Sequence, residues 1–162
     1  MYDYIDYAEE TGQKYCLVDF GWENWKDSSG KLDYEEKLKK LCKYANERNV
    51  GILVWYGVKK RDGAHRVDLD NPETIEKEFA WCESLGVKGV KVDYLESDSQ
   101  WAMKDMYDIA SIAAKHKLVV NYHGCTDPNG ENRTFPNILS SEAVQGSEYF
   151  KRLFLLCLIR VM

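Results

Sequence analysis

Short apolar runs alternate along the chain with longer stretches in which apolar residues recur at three- to four-residue spacing. The first pattern suits strands and the second suits helices with one buried face. Four runs read as strands: YCLVDF at 15–20, GILVWYG at 51–57, GVKVDY at 89–94 and LVVNYHG at 118–124. Between the first two, Tyr34, Leu38, Leu41 and Ala45 predict a helix that ends by Asn49. Phe79 and Cys82 mark another helix stopped by Gly86, and Ala102, Met106, Ile109, Ala110 and Ala113 mark a third, with Asp98 as its expected N-cap. A further helix over about 2–10, followed by Gly12 as a stop signal, precedes the first strand. Strand and helix in this alternation predict βα units around a parallel sheet.

The strand ends carry the chemistry. Asp19 with Phe20, Gly21 and Trp22 closes the first run, Trp55 with Tyr56 the second, Asp93 with Tyr94 the third, and Tyr122 with His123 the fourth. In a parallel (β/α)8 barrel these ends meet at one mouth, where active sites sit. An open doubly wound sheet also binds ligands at strand ends. No GxGxxG or GxxxxGK[ST] loop follows any strand, which lowers the nucleotide-binding form of that fold. The expectation is therefore an α/β fold, a partial (β/α)8 TIM barrel of about four βα units, belonging to a larger domain.

With 162 residues, 44% of them hydrophobic and 13% aromatic, the chain has material for one core. A net charge of −5 with interspersed signs leaves no basic patch, which excludes nucleic acid as an expected partner. The five cysteines, Cys16, Cys42, Cys82, Cys125 and Cys157, show neither CxxC nor zinc-ligand spacing and read as small apolar core residues. The opening stretch MYDYIDYAEETGQ lacks a signal-peptide pattern, and LFLLCLI near the end is too short to span a bilayer.

Lys91 and Asp93 lie two residues apart and so share one face of their strand, while Val90, Val92 and Tyr94 take the other. Lys91 and Asp93 are thus expected to project into the barrel near its mouth. An ammonium beside Asp93 favours the ionised carboxylate that a nucleophile requires, although an ion pair that only fills the barrel has the same periodicity. Trp22, Trp55 and Tyr56 stand where a ligand could stack or where aromatics could simply pack. Asp19 could hold polar groups of a ligand or cap a loop.

KVDY at 91–94, VDFGW at 18–22, NYHG at 121–124, RTFPN at 133–137 and SEAVQGSEY at 141–149 together resemble the catalytic barrel of glycoside hydrolase family 97, in order, from about Tyr4 to Tyr149. That family contains α-glucosidases and α-galactosidases. The resemblance implies that Asp93 is the nucleophile of a retaining mechanism and Glu148 the general acid/base. It also implies that Glu142 and Glu148 are ligands of a calcium ion. Lys91, His123, Asp19, Trp22 and Trp55 are the expected substrate contacts. Inverting members carry a glutamate base directly after the histidine, where this chain has Gly124. Retaining, α-galactosidase-like hydrolysis of oligosaccharides is therefore the first expectation. An α-glucosidase of the same family is the alternative, together with an inactive fragment that at most binds sugar through Trp22, Trp55 and His123. Flanking β-rich domains and a periplasmic location also follow from the resemblance, which assigns 1–149 to the catalytic barrel. It leaves the apolar stretch 150–162 as an atypical tail.

Overall fold

The computed structural model describes residues 1–58, 68–144 and 146. Its elements follow in the order α1 (Tyr2–Thr11), β1 (Tyr15–Val18), α2 (Tyr34–Asn46), β2 (Gly51–Gly57), α3 (Pro72–Leu85), β3 (Gly89–Asp93), α4 (Gln100–Lys115), β4 (Val119–His123), α5 (Glu131–Thr134) and β5 (Ile138–Glu142). A 3₁₀ turn at Trp22–Asn24 follows β1. The strands form one sheet in chain order, β1-β2-β3-β4-β5, and every pairing is parallel.

The helix boundaries follow local chemistry. Gly12 and Gly86 end α1 and α3 in the left-handed conformation. Asn71 caps α3 by accepting from the Glu73 N–H, with Pro72 at the first helical position. At α4 the cap is Ser99, whose hydroxyl accepts from Ala102 N–H at 3.3 Å, and not Asp98 as the sequence suggested. Both residues suit the role, and the extended backbone at Ser99 decides it.

Alternation along the strands separates two faces. Val18, Ile52, Val54, Tyr56, Val90, Val92, Val120 and Tyr122 are all buried, and they form the core with the helices. Tyr56 donates to Glu78 of α3 at 2.8 Å and Tyr122 to the Met106 carbonyl of α4 at 2.5 Å, which fixes this face toward the helical layer. The opposite face carries Leu17, Leu53, Trp55, Lys91, Asp93, Asn121 and His123, brought together by the registers Leu17↔Leu53, Trp55↔Lys91 and Lys91↔Asn121.

Five strands stand where four were expected. The additional one, β5, has the sequence ILSSE and so has little apolar character. Its pairing with β4 contains an irregularity: Val120 faces Ile138, but Asn121 already faces Ser140, leaving Leu139 as an extra residue. Such a bulge moves the following side chains by one position, to the other face. Without it Ser141 would stand opposite His123; with it, Glu142 does.

Candidate active site at the strand ends

Asp93 is the last residue of β3 and is 8% exposed. A buried carboxylate needs donors, and Asp93 has three. Oδ1 accepts from the backbone N–H of Tyr94 at 2.7 Å and meets Nδ1 of His123 at 2.9 Å. Oδ2 accepts from the indole N–H of Trp55 at 3.1 Å. These donors come from β2, β4 and the residue after β3, so the parallel register itself assembles the cradle. Tyr94 adopts φ +67°, a strained conformation for an aromatic residue, directly beside the carboxylate.

His123 continues the arrangement. Its Nε2 lies 2.8 Å from Oε2 of Glu142, so the ring bridges Asp93 and Glu142. An imidazole facing carboxylate oxygens at both nitrogens donates to both only as the imidazolium. Glu142 reaches this position because of the bulge in β5. Asn121 and Ser140, one step further down the same face, are hydrogen-bonded to each other at 2.5 Å.

Lys91 does not pair with Asp93, contrary to the reading of the strand alone. Its ammonium lies 3.0 Å from Oδ2 of Asp19, across β2. The cause is register: Trp55 stands directly opposite Lys91 and its indole takes the Asp93 oxygen, while the long lysine side chain extends to the end of β1. Asp19 and Lys91 are thus both on the rim as expected, but paired with each other.

The aromatic residues divide differently from the sequence expectation. Trp22 is 1% exposed, packed against Tyr34, Tyr56 and Trp81, with its indole N–H donated to the Trp55 carbonyl at 2.9 Å. It is a core residue, because the turn after β1 folds it back over the sheet edge, and it presents no ring face to a ligand. Trp55 is 2% exposed, enclosed by Phe20 and Tyr94 in edge-on contacts at 5.0 and 5.8 Å. Its polar edge, not its face, meets the site. Phe20, more than half exposed, is the aromatic that the strand ends leave open.

Gly124 follows His123 at φ +55°. A Cβ built there would lie 3.5 Å from Oδ1 of Asp93 and 3.8 Å from the Tyr94 nitrogen. A carboxylate side chain starting from this point would begin against Asp93, so two acids at 93 and 124 would share one small space.

Glu148 and the tail 150–162 lie outside the described residues. Among the described residues no group of three His, Cys, Asp or Glu side chains is gathered for a metal. Glu142 is partly exposed and lies 2.8 Å from Nε2 of His123. No described helix is long and apolar enough to cross a membrane.

Comparison with known proteins places this geometry. The family model for glycoside hydrolase 97 matches residues 1–144. The chain belongs to this family. Among curated relatives, a probable retaining α-galactosidase of Streptomyces bingchenggensis and a retaining α-galactosidase of Bacteroides thetaiotaomicron are each 38% identical over 149 residues. These matches cover 90% and 91% of this chain but only 22% and 21% of those proteins, so the chain spans about a fifth of their length. Among solved structures, a β-arabinopyranosidase superposes with TM-score 0.76 at 36% identity, covering 92% of this chain and 24% of that one. A glycoside hydrolase family 97 enzyme from Pseudoalteromonas sp. strain K8, crystallised with acarbose, shares the fold at TM-score 0.68 and 21% identity, with 91% and 26% covered. The five parallel strands and their helices are accordingly part of the (β/α)8 barrel of glycoside hydrolase 97 enzymes.

Proposed function

We propose that this part of a glycoside hydrolase 97 barrel carries the nucleophile of a retaining α-glycosidase, with α-galactosides as substrates. The observation that supports it best is the carboxylate of Asp93, buried at a strand end and held by three donors, beside a glycine where an inverting base would stand. The attacking form is the ionised carboxylate, and donors on both of its oxygens hold it in place. In the first step Asp93 bonds to the anomeric carbon while Glu148 protonates the departing oxygen. In the second, Glu148 takes a proton from water, which releases the sugar with its configuration retained. His123 fixes the carboxylate, and the Lys91–Asp19 pair offers an ammonium and an acceptor to sugar hydroxyls at the rim.

Calcium held by Glu142 and Glu148 belongs to the same proposal, and no chemical step is routed through it. A calcium-dependent rise in melting temperature that is lost in Glu142→Gln would support it. The substrate choice has a second reading, favoured by the similarity to the β-arabinopyranosidase. A β-L-arabinopyranoside presents the ring hydroxyls of an α-D-galactoside and lacks only the hydroxymethyl group, so contacts to that group decide between the two. Parallel assays on nitrophenyl α-galactoside, α-glucoside and β-L-arabinopyranoside rank the three.

The mechanism is tested by trapping with an activated fluorosugar, followed by peptide mapping and by NMR of the first-formed anomer. A label on Asp93 and a retained anomer are expected. An inverted product, or a label elsewhere, overturns the assignment.

A further inference from the structure

Both tryptophans expected at the sugar are buried, yet one of them touches the reactive carboxylate through its only polar atom. The indole N–H is a donor that does not titrate, so the donor side of this bond is present at every working pH. Trp55 reaches the carboxylate because Gly57, not Trp55, is the direct cross-strand partner of Asp93. A diagonal neighbour two residues away is within reach of a large aromatic ring. The ring is held on several sides. Phe20 and Tyr94 abut it edge-on, and the backbone carbonyl of Trp55 itself accepts the Trp22 indole N–H at 2.9 Å. A chain of two indole hydrogen bonds thus runs from the buried Trp22 through Trp55 to Asp93.

We propose that Trp55 is the positioning residue of the nucleophile and that it selects Oδ2 as the attacking atom. The proposal rests on the retaining-hydrolase reading. Each carboxylate oxygen has two lone-pair directions. Oδ1 uses both, on Tyr94 N–H and His123, whereas among the described residues Oδ2 uses one on the Trp55 indole and the other takes no partner. In glycosylation the free pair of Oδ2 forms the bond to the anomeric carbon. The bond to the leaving oxygen breaks with its electron pair, and that oxygen takes the proton of the general acid. In deglycosylation the same ester bond breaks, and its electron pair returns to Oδ2 as water adds to the anomeric carbon.

The indole N–H therefore acts unequally on the two steps. Charge leaves Oδ2 in the first step, so a donor there holds the oxygen in place at a small electrostatic cost, and the two effects offset each other. Charge returns to Oδ2 in the second, where the donor stabilises the departing carboxylate. Removing the N–H while keeping the ring slows deglycosylation in particular, and glycosyl-enzyme accumulates.

The test replaces Trp55 by its benzothienyl isostere, in which sulfur takes the place of the N–H and the packing volume is kept. With a dinitrophenyl glycoside, the isostere is expected to show an enlarged burst, kcat lowered about tenfold and KM lowered in parallel, leaving kcat/KM nearly unchanged. A second measurement does not depend on turnover: the Trp55 indole proton, assigned through Trp55→Phe, should be protected from exchange and should shift on Asp93→Asn. Burst and rates equal to those of the parent in a chain that hydrolyses overturn the role of Trp55 alone. An indole proton that ignores Asp93→Asn overturns the hydrogen bond on which the proposal stands. A parent chain without hydrolysis, but with an indole proton that answers to Asp93→Asn, overturns the hydrolase reading and leaves the indole–carboxylate bond in place.

Discussion

At the scale of single residues, two positions make separable demands. Gly124 needs a left-handed backbone and also leaves space beside Asp93. Gly124→Ala meets only ordinary contacts, the nearest at 3.5 Å, so its cost is the backbone term of about 1 kcal/mol. Gly124→Glu adds a carboxylate against Asp93, and like charge at that distance opposes the ionised nucleophile. Urea unfolding should show similar losses for the two variants, while kcat/KM falls by an order of magnitude or more only for the glutamate. Cys42 makes the second demand: burial pushes its thiol up to about 12, opposed only by the nearby charge of Lys88. Because the folded value lies above the unfolded one, the contribution of this thiol is complete below about pH 9 and is lost as pH rises toward 12. Stability should fall with a slope of about 1.4 kcal/mol per pH unit from this group, and Cys42→Ala should flatten the urea midpoint between pH 9 and 11 by that share. The sequence exposed Asp93, His123 and Gly124 because strand ends and a motif mark them. It could not expose the partner of Lys91, since a lysine reaches two strands away and only register decides which acid it finds.

Elements were legible where one face is apolar and illegible where neither is. The strands β1 to β4 and the helices α1 to α4 all carry that signal, and each lies close to its expected span. β5 pairs through its backbone, with polar side chains toward the open face and a bulge that breaks its alternation, and α5 has only four residues. That is why Glu142 was found by resemblance and not by pattern, and why its position opposite His123 emerged only from the register. Between helices, a polar clasp joins α3 to the end of α4. His116 places Nδ1 3.0 Å from Glu83 and Nε2 3.0 Å from Glu76, and Lys117 lies 3.2 Å from Glu83. These donors, His116 first and Lys117 second, hold the Glu83 carboxyl below its ordinary value of 4.5. A lowered folded value gives stability that is present above pH 4.5 and lost as pH falls through the lowered value. Melting temperatures of the parent and His116→Ala should therefore differ at pH 6 and converge as the pH is taken below 4. A gap that widens on acidification would mean that the clasp does not depend on the ionised Glu83.

For the molecule as a whole, the sheet has one well-covered face and one that carries the chemistry. Among the described residues β1 and β5 each pair on one side only, as edge strands of the five-stranded sheet. Edge strands that expose backbone donors beside apolar side chains are templates for association. At β1 the exposed side chains are Tyr15 and Leu17, followed by Phe20 beyond the strand end, with relative exposures of 37%, 36% and 55%. Val18, between them on the helix face, is 2% exposed. The alternation sets up a comparison of two lysine substitutions in adjacent residues. Leu17→Lys adds a charge at the edge without opening the core, so light scattering should show less self-association at rising protein concentration, with the melting temperature within a few degrees of the parent. Val18→Lys buries the same charge against the helices and should unfold the chain, because an unpaired ammonium has no partner there. If Leu17→Lys associates as strongly as the parent, the β1 edge is not the surface through which copies meet, and the open face that holds Lys91, Asp93 and His123 becomes the one to substitute next.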